Sequence, residues 1–133
     1  MSAFSDACCK AVKLIEDEGA DVRVIGNTKS PCFPVSLLPY TEQKNNLSDK
    51  IKVNLLVNYG WEWDFKNGWP SREIPRIDMV IRWGGMCRLS GFLPIQTVYS
   101  DFYIIKDLWP DFKDEHLDNA LEWYSKQDVT LGG

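Results

Sequence analysis

Four short segments rich in β-branched and aromatic residues limit what this chain can fold into. They are Val22-Arg23-Val24-Ile25-Gly26, Ile51-Lys52-Val53-Asn54-Leu55-Leu56-Val57, Ile77-Asp78-Met79-Val80-Ile81 and Phe102-Tyr103-Ile104-Ile105. Their composition and their flanking turn residues predict strands. Helical patterns lie around and between them. Residues 4–18 place Phe4, Cys8, Val12 and Ile15 at three- and four-residue intervals, an amphipathic helix stopped at Glu18-Gly19. A helix is predicted over Val35–Leu47, with Pro39 near its start or interrupting it, and another over Leu89–Thr97 despite Pro94. A last helix runs from about Lys113 to Lys126, with Leu117, Ala120, Leu121 and Tyr124 on one face. Strands separated by helices predict an α/β fold: a mostly parallel sheet of about four strands flanked by helices. The tryptophan-rich stretch from Trp61 to Pro75 has little periodicity and reads as a connection.

With 133 residues, the chain fits one small domain, read here as residues 1–133. The content of 44% hydrophobic and 26% charged residues belongs to a globular protein rather than a disordered tail. A net charge of -4 without a lysine–arginine stripe argues against a nucleic-acid partner. Cys8, Cys9, Cys32 and Cys87 form no C-x-x-C pair and His116 is the sole histidine, so zinc has few ligands. The cysteines read as reduced and mostly buried, and His116 as a surface histidine rather than a general base. No apolar run approaches the ~20 residues of a transmembrane helix, and the polar opening is not a signal peptide, so a cytoplasmic protein is expected.

The chemistry concentrates after the third strand, in Arg82-Trp83-Gly84-Gly85-Met86-Cys87-Arg88-Leu89-Ser90. Ligands of open parallel sheets bind beyond the carboxyl ends of the strands. Arginine offers a planar fork of donors matched to phosphate oxygens, and glycines let backbone N–H groups approach an anion. On these residues alone, the segment reads either as a phosphate or diphosphate site or as two solvent-exposed arginines on a loop.

The run from Ile77 to Gln96 is similar to the signature of the cis-prenyl diphosphate synthases, the undecaprenyl diphosphate synthase family. Val98-Tyr99-Ser100-Asp101-Phe102-Tyr103 and Leu108-Trp109-Pro110-Asp111-Phe112 continue it in the family's order and spacing. Val22–Gly26 and Val57-Asn58-Tyr59-Gly60 resemble two upstream landmarks. The resemblance covers the C-terminal half of the family's pattern and implies a truncated form of its fold. Such enzymes condense isopentenyl diphosphate onto an allylic diphosphate with Mg2+. Residues matching Arg82, Arg88 and Ser90 hold the diphosphate of isopentenyl diphosphate, and a glutamate matching Asp101 helps bind the metal.

The departures from the pattern bear on activity. The family's opening aspartate loop and Gly-Asn-Gly-Arg-Trp run, which bind the allylic diphosphate, have no counterpart in these residues, so no catalytic residue is assigned. Thr-Ser-Gly-Glu after the first arginine is replaced by Trp83-Gly84-Gly85-Met86, where Trp83 is expected to narrow or cover the pocket. Asn-Tyr-Gly-Gly-Arg becomes Asn58-Tyr59-Gly60-Trp61-Glu62, the segment between the second and third strands is shortened, and the tail matched by Thr130-Leu131-Gly132 lacks its arginine.

Three readings follow. In the first, this chain keeps the isopentenyl diphosphate half-site and transfers prenyl groups only with a partner chain that supplies the allylic site. In the second it is a non-catalytic scaffold or accessory subunit of a prenyl diphosphate synthase. In the third it is an altered prenyl or lipid diphosphate-binding protein, with Trp61, Trp63 and Trp83 lining an apolar pocket for the prenyl chain. A homo- or hetero-oligomer is expected in each, because a sheet without its first strands would expose an edge.

Overall fold

A serine and a glycine bracket the first helix, α1 (Ala3–Asp17). The Ser2 side chain accepts from the Ser5 N–H at 3.3 Å. At the other end Gly19 takes φ +80°, the Gly19 N–H donates to the Glu16 carbonyl, and the Ala20 N–H donates to the Ile15 carbonyl. This paired closure satisfies two helix-end carbonyls and needs a residue tolerant of positive φ. The computed structural model describes residues 2–42 and 48–130. They fall into two compact units, Met1–Ser71 and Arg72–Gly133.

In the first unit β1 (Asp21–Ile25) pairs in parallel with β2 (Lys52–Leu56), with Asp21 opposite Lys52 and Ile25 opposite Leu56. Val12 of α1 packs with Val24, Phe33, Leu37 and Val57 in a buried cluster, and Cys8, Cys9, Val22, Tyr40 and Leu55 close around it. Burying each of the large side chains contributes about 1.5–3 kcal/mol. The helix expected over Val35–Leu47 is instead a tight 3-10 turn over Val35–Tyr40. Pro39 inside it has no N–H to donate, and Thr41 closes it with backbone and side-chain bonds to the Leu38 carbonyl. Residues 43–47 of that expectation lie outside the described residues.

The tryptophan-rich connection has more structure than its periodicity announces. It holds α2 (Trp61–Lys66) and a 3-10 turn over Pro70–Glu73. Asp64, fully buried, ties them together. Its carboxylate accepts from the Ser71 N–H at 3.1 Å, the Ser71 hydroxyl at 2.5 Å and the Tyr59 hydroxyl at 2.9 Å. Three donors offset the cost of burying the carboxylate, a solution that hydrophobic spacing does not reveal.

In the second unit β3 (Met79–Trp83) pairs in parallel with β4 (Asp101–Ile105). The four expected strands are therefore present, but among the described residues they form two separate parallel pairs and not one sheet of four. The third begins two residues later than expected and runs on through Arg82 and Trp83. The helix expected over Leu89–Thr97 is absent. Ser90 and Leu93 adopt φ of +50° and +40°, and separate turns take its place, one closed by the Phe92 N–H on the Leu89 carbonyl. The last helix, α3 (Asp114–Ser125), lies within the expected span. Its Ala120 is fully buried, and Trp123 packs 5.4 Å from Tyr103 of β4.

Candidate functional site

Arg82 and Trp83 are adjacent on β3, and alternate strand residues project to opposite faces. Each enters a different environment. On one face, the Arg82 Nη1 donates to the Arg88 carbonyl and reaches the Ser90 hydroxyl at 3.4 Å. The guanidinium groups of both Arg82 and Arg88 also contact the Met86 sulfur. Gly84 and Gly85, at φ +94° and +75°, turn the chain back. The Gly84 N–H donates to the Asp107 carbonyl at 2.9 Å and the Gly85 N–H to the Ile105 carbonyl at 3.0 Å. The resulting surface pocket of about 250 Å³ is lined by Val80, Ile81, Arg82, Arg88, Leu89, Ser90 and Phe92. Arg82 is half-buried, while Arg88 and Ser90 are exposed. Two guanidinium groups and a hydroxyl thus meet beside an apolar wall, which suits a small amphiphile with a multiply charged oxyanion head.

Trp83 is not among the residues lining that pocket. Its indole meets Trp109 edge-on at 4.8 Å and packs 5.8 Å from Phe112. The indole N–H donates to His116 Nδ1 at 3.1 Å, and the Lys113 backbone N–H donates to the same nitrogen at 3.2 Å. His116 Nε2 lies 3.0 Å from Asp107 Oδ2. Two N–H groups can only donate, so Nδ1 is an acceptor and Nε2 carries the proton given to Asp107. His116 is therefore a buried, doubly bonded histidine and not the surface residue expected. Neither nitrogen is open to act as a general base. The sequence carried a partial signal. His116 stands three residues after Lys113, at the position where a capping box folds a side chain back onto the helix start.

Asp101 begins β4 opposite Met79, whereas Arg82 is opposite Ile104. At about 3.3 Å per residue, the offset of three residues sets Asp101 roughly 10 Å from the level of Arg82. Asp101 borders a different pocket, of about 300 Å³, with Arg76, Asp78, Tyr99, Ser100, Tyr124 and Asp128. Among the described residues, no group of three or more His, Cys, Asp or Glu is placed to hold a metal ion. Asp78 and Asp128 bring two further carboxylates to the pocket that Asp101 borders, whereas Arg82, Arg88 and Ser90 line the other pocket.

Trp61 and Trp63 lie on α2 in the first unit. Trp61 and Trp69 flank Phe65 at 6.1 and 5.8 Å, and Trp61 and Phe65 are exposed. Among the cysteines, Cys32 and Cys87 are exposed, against the expectation of burial, and all four are free. Residues 131 and 132 of the tail segment lie outside the described residues. No helix is long and apolar enough to cross a membrane among the described residues.

The fold and pocket define an α/β protein with paired arginines at the carboxyl end of a parallel strand pair. Residues 65–132 match the family model described as "Putative undecaprenyl diphosphate synthase". The chain belongs to this family of cis-prenyltransferase-like proteins. It is 37% identical to the tritrans,polycis-undecaprenyl-diphosphate synthase (geranylgeranyl-diphosphate specific) of Aeropyrum pernix, over 89% of this chain and 59% of that protein. It is 28% identical to the isoprenyl transferase of Lactococcus lactis subsp. lactis, over all of this chain and 66% of that protein. That alignment has 160 positions for the 133 residues of this chain, so the relative carries inserted segments. A crystal structure described as a probable undecaprenyl diphosphate synthase from Campylobacter jejuni shares the fold. Its TM-score is 0.71 at 20% identity, over 96% of this chain and 70% of that one. The chain thus spans about three fifths of the length of the curated relatives it matches.

Proposed function

We propose that this chain binds the diphosphate of isopentenyl diphosphate, or of another prenyl diphosphate, on Arg82, Arg88 and Ser90. Prenyl transfer then takes place only with a partner chain that supplies the allylic diphosphate site. The observation that carries this reading is the convergence of Arg82, Arg88 and Ser90 on one pocket whose remaining lining is Val80, Ile81, Leu89 and Phe92. The cationic donors suit the diphosphate, and the apolar wall suits a five-carbon chain. Membership of the family supports the same assignment, since all three residues lie within the stretch that matches its model. Exposed Leu108, Trp109, Leu117 and Leu121 in the second unit support assembly with a second chain.

Calorimetric titration with isopentenyl diphosphate, with and without Mg2+, tests the reading beside Arg82→Ala. Binding that weakens by about tenfold or more in the variant supports it, the loss expected for one charge-assisted bond. Absence of binding to the wild-type chain overturns it. A second reading, a non-catalytic accessory subunit, is favoured by one observation: the Arg82 guanidinium is already engaged by the Arg88 carbonyl, Ser90 and Met86. That reading expects prenyl transfer by a reconstituted complex to survive Arg82→Ala, whereas the first expects its loss.

A further inference from the structure

The loop that carries Arg88 and Ser90 leaves β3 at a point held from two directions. The Trp83 side chain is bonded to His116, and the next backbone N–H, of Gly84, is bonded to the Asp107 carbonyl. Asp107 and His116 are in turn joined through Oδ2 and Nε2. The four residues therefore close a ring of hydrogen bonds: indole to imidazole, imidazole to carboxylate, and Gly84 N–H to the carbonyl of the same aspartate. Trp109 and Phe112, both partly open to solvent, pack against the indole. Gly84 and Gly85 lack a β-carbon and both take positive φ, so without an anchor this exit would sample many directions.

We propose that His116 is a positioning residue for the diphosphate pocket. In its Nε2–H form, oriented by Asp107, it holds the Trp83 indole and fixes the direction in which the chain departs at Gly84. Arg88 and Ser90 are thereby presented to Arg82. The residue touches no ligand and acts through Trp83. The pocket's ligand rests on the reading under Proposed function, whereas the anchor itself does not. The ring also gives Trp83 a use on the face away from the pocket. It is a rigid arm between the strand and the start of α3, in place of a cover over the arginines.

The test uses the full chain with inorganic pyrophosphate as the probe. Trp83→Phe keeps an aromatic ring and removes the indole N–H. His116→Gln keeps a side chain able to cap the helix and removes the imidazole. Each variant is expected to bind pyrophosphate about tenfold more weakly, as for loss of one hydrogen bond. The double variant should bind no more weakly than the poorer single one, because both changes break the same bond. Wild-type affinity in either folded single variant, or losses that multiply in the double variant, would overturn the proposal. Amide exchange at Gly84 and Gly85 separates the anchor from the ligand. Exchange about tenfold faster in Trp83→Phe is expected, and unchanged exchange overturns the anchor even where pyrophosphate binds. Should the wild-type chain not bind pyrophosphate, the reading of the pocket falls and with it the positioning role. The exchange rates then still decide whether the ring holds the loop.

Discussion

Gly26 meets the Val57 carbonyl so closely that a β-carbon added to the glycine would lie 1.5 Å from its oxygen. The clash is with backbone, not with the far end of a flexible side chain. It occurs where β1 and β2 end together and the Val57 N–H donates to the Ile25 carbonyl. Gly26→Ala must therefore separate the two strands at their carboxyl ends. We expect a loss of about 3 kcal/mol or more in denaturant unfolding, in the upper part of the range for single substitutions, where overpacking belongs. A loss below about 1 kcal/mol would show that this approach relaxes easily.

The Asp64 carboxylate holds α2 to the following turn with three accepted hydrogen bonds. Asp64→Ala leaves the buried Ser71 N–H without that acceptor, and we expect about 2–4 kcal/mol of destabilisation. Asp64→Asn keeps one acceptor oxygen and should cost less. Equal stability of the two variants in urea titrations would contradict the account.

Arg82 reaches the Arg88 carbonyl and Ser90 through Nη1 and the Met86 sulfur through Nη2, so both arms of its planar fork are engaged. Arg82→Lys keeps the charge and loses the fork. Pyrophosphate affinity should fall about tenfold at low salt, and the gap should persist as salt is raised, because both side chains carry the same charge. Retained affinity in the lysine variant would make the site a simple charge patch.

Asp101 stands three residues back along the strand pair from Arg82. The Asp101→Asn variant is therefore expected to bind pyrophosphate within about twofold of the wild-type chain, below the effect of losing a direct hydrogen bond. A tenfold or larger loss that appears only with Mg2+ present would instead support Asp101 as a metal ligand.

The Tyr40 hydroxyl donates to Glu16 Oε2 at 3.0 Å. This bond, followed by partial burial and the negative charge of Glu16, raises the phenol above its ordinary value of 10.0. Since the folded value is the higher one, the stabilisation is complete below pH 10 and is lost as pH rises through the raised value. Stability of the wild-type chain should fall in that alkaline window, and Tyr40→Phe should flatten this part of the profile. Parallel profiles in the two proteins would exclude the bond as its source.

Much of the fold was legible because it rests on local rules. Val22, Val24, Leu55, Val80 and Ile81 have side chains suited to a pleated surface, and Gly19 stops α1 where a positive φ was needed. The two lost helices failed for reasons that lie beyond spacing. Pro39 tightened one into a 3-10 turn, and Ser90 and Leu93 took positive φ in the other. Arg82, Arg88 and Ser90 were found together because one segment of nine residues holds all three, and they meet around one pocket.

The sequence by itself thus determined the parallel strands, the first and last helices, the family and the arginine–serine cluster, all of which depend on residues near one another in the chain. Only the tertiary structure decided what Asp64, Trp83, Asp107 and His116 do. Trp83 and His116 are 33 residues apart, and Asp107 is nine residues from His116. A buried polar side chain takes its role from the donors and acceptors that folding brings to it, and those partners are invisible to local pattern.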